Sequence, residues 1–284
     1  MSFYKTEKLE KDLYKIVDIL SEELFPIQVF LVIGKERAAL IDTGIGIGSI
    51  KEEVEKITQL PIIVLHTHGH LDHVGGDRWF SELYLHPQEY VYSQEEATEL
   101  TPVKQEILLR LTNDAALLDA AANKIQPNPN LRYLSVKEGD HFDLGGVILK
   151  TVEISGHTKG SIAFVSQDGR FAFTGDGIAD IHWFDEDDEF NTIEAFLETL
   201  NHFEKFAKNN KQIYASHLKN PFTPELVHQL QTAANNILNG SIDDIEKADY
   251  LFLKHGYLYA HRVGNACIYY KKENIYKKQG SKWK

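Results

Sequence analysis

The chain has 284 residues, 43% hydrophobic and 25% charged, with a formal net charge of −12. That is apolar material enough for a sizeable core, while the excess of 42 acidic over 30 basic residues repels polyanions and argues against a nucleic-acid partner. The single cysteine, Cys267, excludes an intrachain disulfide and a thiolate metal cluster.

No apolar run approaches the roughly 20 residues of a membrane-spanning helix, so no membrane association is expected. The start, MSFYKTEKLEKDLYKIVD, is charged throughout and lacks the apolar stretch of a secretory signal, which sets a cytoplasmic location as the expectation. Residues 27–33 (IQVFLVI) and 37–42 (RAALID) read as two strands joined by a turn around Gly34. The stretch DTGIGIGS that follows has Ser49 where a dinucleotide fingerprint needs its third glycine, and no Gly-Lys-Ser/Thr comes after it. It reads as a tight strand-to-helix turn. A helix is expected over 49–59, closed by Pro61, and then a short buried strand at 62–65 (IIVL).

Residues 95–130 contain two helix-like stretches and end in PNPN, so they read as a helical insertion. Its two expected uses are a cap over a pocket and a homodimer contact. Strand signals recur at 131–136, 147–154, 162–166, 171–174 and 212–215, and amphipathic helices fit 192–208 and 223–239. Strands alternating with helices predict a mixed sheet covered by helices. No linker composition separates independent units, so residues 1–284 read as one domain with the 95–130 insertion inside it. The basic end, KKENIYKKQGSKWK, reads as a solvated tail.

Chemistry concentrates in residues 66–76, HTHGHLDHVGG, which leave the strand at 62–65 at its C-terminal end. Open α/β sheets place their ligand crevices there. His68, His70, Asp72 and His73 lie within six residues, and each suits a borderline metal. The two-residue step from His68 to His70 points both imidazoles the same way from extended backbone, and Asp72 and His73, beyond a turn, can face a second point nearby. One histidine would read as structural. Four ligand-type residues in this order after a buried strand read as a metal site.

The segment His68-Gly-His70-Leu-Asp72-His73 resembles the signature of the metallo-β-lactamase superfamily. The later elements follow in order: His157 in SGHTKGS, Asp176 in FTGDG and His217 in YASH, with Asp42 in LIDTG ahead of the motif. The resemblance spans about residues 25–220, with a closing pair of strands afterwards. It implies a four-layered αββα sandwich and two divalent metal ions, zinc being expected and Mn2+ or Fe2+ the alternatives. It assigns His68, His70 and His157 to the first ion, Asp72, His73 and His217 to the second, and Asp176 to both. A hydroxide bridged between two zinc ions is then the expected nucleophile. Asp72 and Asp176 become the catalytic carboxylates, Asp72 also as a proton acceptor, and Asp42 orients a histidine through its other ring nitrogen. His70 stands where oxygen-reducing members carry glutamate, which favours hydrolysis. Antibiotic-degrading members use a cysteine in the second site; here that position is Asp176, and Cys267, in the apolar NACIYY, reads as a core residue.

Substrate signals are weaker. After Asp176 comes GIADIHWFDEDDEF, read either as a solvated acidic loop with an aromatic anchor or as a substrate wall in which His182 and Trp183 contact the ligand. His66 reads as a buried structural histidine or a partner of a ligand, and His86 as a helix opener before Pro87. Ester-type hydrolysis of a small molecule is expected. A phosphodiesterase comes first, on a loose resemblance to phosphocholine esterases, and a glyoxalase II-like thioesterase or lactonase second. The net charge argues against a nuclease of the same fold. An iron-dependent persulfide dioxygenase and a non-catalytic binding protein complete the alternatives.

Overall fold

The computed structural model describes residues 2–22, 25–91, 93, 114–122, 124, 131–184, 191–249 and 255–277. A seven-stranded sheet runs in the order β1 (Tyr4–Lys8), β2 (Leu13–Asp18), β3 (Gln28–Ile33), β4 (Ala38–Ile41), β5 (Ile62–Leu65), β6 (Leu83–Leu85) and β7 (Leu134–Ser135). A five-stranded sheet contains β8 (His141–Asp143), β9 (Ile148–Glu153), β10 (Ile162–Ser166), β11 (Phe171–Gly175) and β13 (Gln212–Ala215). Four strands form a third sheet: β12 (Ile181–Phe184), β14 (Asp244–Lys247), β15 (Tyr257–Val263) and β16 (Ala266–Tyr270). The helices are α1 (Ile50–Glu55), α2 (Leu71–Val74), α3 (Ala115–Ala122), α4 (Ile193–Ala207) and α5 (Pro224–Leu238).

The central strands carry unbroken apolar runs because both of their faces are covered. On β3 to β5, Phe30, Val32, Ala39, Ile41, Ile63 and Leu65 face the second sheet and meet Leu149, Phe164, Phe171, Phe173 and Tyr214. The alternate residues Val29, Leu31, Ala38, Leu40 and Val64 pack outward against Ile50 and Val54 of α1. On the far side of the second sheet, Val152, Ala163, Val165, Ala172 and Ile213 pack under α4 and α5. Helices therefore flank two stacked sheets, as the sequence led us to expect. Truncating Phe164, fully buried between the sheets, would cost about 3–5 kcal/mol.

The long helices follow their apolar stripes. Ile193, Phe196, Leu200, Phe203 and Ala207 of α4 are buried at helical spacing, and Thr192 caps its start by accepting from the Ala195 amide at 3.2 Å. Proline at the first position of α5 fits its fixed φ. The helix expected over 49–59 stops at Glu55, because the amides of Lys56 and Ile57 fold back to Glu53 and Val54 in a tighter turn ahead of Pro61.

Two regions depart from their sequence reading, and the N-terminus, for which the sequence set no secondary structure, adds a hairpin. The charged N-terminus forms the hairpin β1–β2. The stretch after Asp176 contains β12, which pairs in parallel with β16 from Ile181 opposite Cys267 to Phe184 opposite Tyr270. The strand expected at 131–136 shrinks to the two residues of β7. Most of the 95–130 insertion, the acidic residues 185–189 and the end of the basic tail lie outside the described residues; within the insertion, α3 is helical, with Leu117, Leu118 and Ala121 against Leu20, Ile27, Ile45 and Leu71. Among the described residues, no helix is long and apolar enough to cross a membrane.

Candidate metal centre

Parallel pairing sets the place of the site. β5 lies parallel between β4 and β6, and β11 lies parallel to β13. The segments leaving the C-terminal ends of β4, β5, β11 and β13 therefore converge on one rim. Asp42 leaves β4; His66 to His70 leave β5, with Asp72 and His73 in the first turn of α2; Asp176 leaves β11; His217 follows β13. His157 comes from the loop between β9 and β10. The turn into Asp176 needs glycine: Gly175 has φ +54, and a Cβ there would lie 2.4 Å from the Thr67 hydroxyl oxygen.

Two groups of side chains that could hold a metal ion result, His68, His70, His157 and Asp176 on one side and Asp72, His73 and His217 on the other. In the first, His70 Nδ1 lies 3.0 Å from His68 Nε2 and 2.9 Å from His157 Nε2. In the second, Asp72 Oδ2 lies 3.2 Å from His217 Nε2 and 3.7 Å from His73 Nε2. One oxygen of Asp176 serves both groups. Its Oδ2 is 3.7 Å from His157 Nε2 and 4.0 Å from His68 Nε2, and it is 3.1 Å from His217 Nε2 and 3.4 Å from His73 Nε2.

These spacings fit divalent cations. Ligand atoms around a tetrahedral zinc sit about 3.3 Å apart for bonds of about 2.0–2.1 Å. Two atoms of the cluster's residues, His73 Nε2 and Asp176 Oδ1, are buried with no hydrogen-bond partner, a costly state for polar atoms that a cation bound by these side chains would relieve. The donor set is nitrogen and oxygen only, which suits zinc, iron and manganese alike.

Charge is distributed unequally. Burial, reinforced by neighbouring imidazoles, holds His68 well below the usual imidazole range and His70 at about 3. His157, the most exposed residue of the group, shifts the same way through desolvation of its inner edge. In the other trio burial is overridden: Asp176 and Asp72 lift His73 well above its ordinary value and His217 to about 10. The same pairs work on the acids, where burial would raise Asp176 and Asp72 but His217 and His73 hold both far below the carboxylate range.

Outer partners fix the ring orientations. His73 Nδ1 donates to Asp42 Oδ2 at 2.9 Å, and His217 Nδ1 donates to the Pro26 carbonyl at 2.8 Å, so each presents Nε2 to the centre. Phe25 stacks on the His217 ring at 3.9 Å. Asp42 also accepts from the Thr67 amide at 2.8 Å and the Thr67 hydroxyl at 2.7 Å, and its φ is +62. Behind it, His66 is fully buried, 3.6 Å from Asp42 and 3.1 Å from Asp77. Asp77 in turn accepts from Thr43 and Tyr133 at 2.6 and 2.8 Å. His66 thus sits behind the ligand shell and outside both trios.

His182 and Trp183 point to opposite faces of β12. His182 is buried against Phe196 with ring centroids 4.3 Å apart and accepts from the Ala179 amide at 3.1 Å. Trp183 stacks in parallel on His255 at 4.8 Å and on Tyr269 at 6.3 Å. His86 caps the turn at Pro87–Glu89 by accepting from the Gln88 amide. Four contributors were not singled out from the sequence: Thr67, Asp77, Tyr133 and Glu89. Thr67, lying inside the motif, is the one a local reading could have found.

A helix-flanked double sheet with paired His/Asp clusters at one rim defines a metallohydrolase-type scaffold. The chain belongs to the metallo-beta-lactamase superfamily, whose profile matches residues 23–206. It is 24% identical over 195 residues to the acyl-coenzyme A thioesterase MBLAC2 of Homo sapiens, covering 63% of this chain and 68% of that one. Over 149 residues it is 29% identical to the hydroxyacylglutathione hydrolase GloC of Haemophilus influenzae, covering 50% of this chain and 61% of that protein. Its fold matches a beta-lactamase domain protein from Burkholderia ambifaria with a TM-score of 0.58 at 22% identity, covering 83% and 74% of the two chains. The chain is thus a superfamily hydrolase with a His/Asp cluster suited to divalent metal.

Proposed function

We propose that this chain is a two-metal thioesterase that cleaves the acyl–sulfur bond of a small thioester. The observation that carries the reading is the placement of Asp176 Oδ2 within 4.0 Å of a nitrogen from each of His68, His157, His73 and His217, which lets one carboxylate serve two cations. The thioester is favoured over the phosphodiester because relatives with named activities include an acyl-coenzyme A thioesterase and hydroxyacylglutathione hydrolases.

His68, His70 and His157 would hold one ion, Asp72, His73 and His217 the other, and Asp176 both. Zinc is the metal proposed. Such ions supply Lewis-acid polarisation of the acyl carbonyl and acidify a water at neutral pH. The chain's own residues do the rest. Asp42 and the Pro26 carbonyl each accept a hydrogen bond from Nδ1 of His73 and His217, so that Nε2 of each ring faces the centre. Asp72, with a fifth of its side chain exposed beside His217, is placed to take the proton lost during attack. Phe25, over the His217 ring, offers an apolar surface at the rim where an acyl chain would enter.

The test is metal-dependent turnover of an acyl-coenzyme A, an acylglutathione, a lactone and bis(p-nitrophenyl) phosphate on the same preparation. Thioester cleavage at least about 100-fold faster than diester cleavage, lost on chelation and restored by zinc, is expected; that ratio corresponds to about 2.7 kcal/mol of discrimination. Preferred diester cleavage would replace the thioesterase with a phosphodiesterase.

A further inference from the structure

Glu89 lies in the turn after β6, is 2% exposed, and belongs to neither trio. Its Oε2 accepts from the Gly69 amide at 2.9 Å, and its Oε1 accepts from the Gly160 amide at 2.7 Å. Gly69 separates His68 from His70; Gly160 lies three residues beyond His157. A single buried carboxylate therefore joins the two loops that carry the three imidazoles of the first trio.

We infer that Glu89 is a positioning residue that sets the spacing of His68, His70 and His157 and so governs the affinity of that trio for its metal ion. The inference rests on the His/Asp cluster being a metal centre. The His157 loop is stiff enough to transmit the constraint, since Ser155 Oγ donates to the Lys159 carbonyl at 2.7 Å and the Thr158 and Ser161 side chains are 2.7 Å apart. A backbone bond from the Ile162 amide to the Thr67 carbonyl, 2.8 Å, already joins the bases of the two loops. Glu89 fixes the parts nearer the ligands.

Close approach requires glycine at the anchors. A Cβ on Gly160 would lie 2.7 Å from Glu89 Oε1 and 2.7 Å from His86 Nδ1, and one on Gly69 would lie 3.1 Å from Glu89 Oε2. The carboxylate is also the one side-chain group of this size that accepts at both ends. Glutamine keeps the shape but sets an NH2 against one of the two amide donors, leaving that contact repulsive.

The experiment titrates zinc into the metal-free full chain, as wild type, Glu89→Gln, Glu89→Asp and Gly160→Ala. Affinity is read by competition with a chromophoric chelator. Nitrogen NMR of the histidine rings identifies which trio fills at each step, and circular dichroism checks the fold. Glu89→Gln is expected to weaken binding at His68, His70 and His157 by about 10–100-fold, the range for loss of an outer partner, while His73 and His217 keep their affinity within about threefold. Gly160→Ala should weaken the same trio with the charge of Glu89 intact, and Glu89→Asp should restore part of the loss. Equal weakening of both trios, or none in folded Glu89→Gln and Gly160→Ala proteins, would overturn the positioning role alone. No zinc uptake by the wild-type chain would overturn the metal centre as well.

Discussion

The two trios share one carboxylate and differ in how they are kept ready for a cation. His68, His70 and His157 converge as uncharged rings, held down by burial and by one another, with His70 at about 3. Asp72, His73 and His217 form ion pairs, with His217 raised to about 10 by Asp176 and Asp72 against the effect of burial. The first trio can accept a cation without giving up a proton. The second must release protons first. Adjacent sites built from nearly the same residue types thus differ in what metal binding displaces, because carboxylates outweigh burial at His73 and His217, whereas burial and neighbouring rings outweigh Asp176 at His68, His70 and His157.

The largest effect is expected where the trios meet. Asp176→Ala should lower turnover by more than about 100-fold, beyond what loss of an outer partner costs, and should reduce metal retention at both trios. Near-normal kcat and two tightly held ions in that variant would break the shared-carboxylate picture. Asp42→Asn should weaken the second trio selectively by about 10–100-fold, because Asp42 receives the Nδ1 proton of His73. Read beside Glu89→Gln in the same NMR-resolved titration, it should give the mirror-image loss. A common loss at both trios would show that they act as one unit.

Proton release separates the trios without mutation. At about pH 7.5, filling the second trio should release about one to two protons, from His73 and His217, and filling the first close to none. Raised pKa values mean that protons compete until the pH approaches the folded value, so affinity at the second trio climbs with pH toward about 10. Lowered values mean that protons compete at the first trio only below the ordinary imidazole range, so affinity there falls as the pH drops beneath it. Calorimetry in buffers of different ionisation enthalpy counts these protons, and equal release from both trios would remove the contrast. The smallest effect is expected at Trp183, whose ring stacks on His255 and Tyr269. Trp183→Ala should leave both metal affinities within about twofold, as for changes away from a site. A change confined to KM would sharpen its reading as a substrate wall.

The residues of the His/Asp cluster were legible because their spacing is local or tied to strand ends. His68 to His73 lie in one hexapeptide, and Asp176 and His217 each follow an apolar run that had to be a strand. The central sheets were legible for the same reason, since strands covered on both faces read as unbroken apolar runs. Glu89 was not, because its role arises from Gly69 and Gly160, 20 and 71 residues away, and one glutamate in HPQEY carries no pattern. The β1–β2 hairpin was hidden by its exposed edge strand, whose last four residues face solvent and carry lysine, threonine and glutamate. β12 was hidden because its partner, β16, lies more than 80 residues further on.

Asp42 lies at the intersection of two separate filters on amino-acid choice. Its φ of +62 admits glycine, asparagine and aspartate with least penalty and rejects branched side chains. The contacts to Thr67 and His73 demand a short acceptor with two oxygens. Glycine and asparagine pass the first filter and fail the second. Glutamate keeps the charge but fails the first and overshoots the reach. One side chain of the twenty satisfies both, so a codon change at this position has almost no neutral neighbour, and a chain that loses Asp42 regains its function most simply by direct reversion.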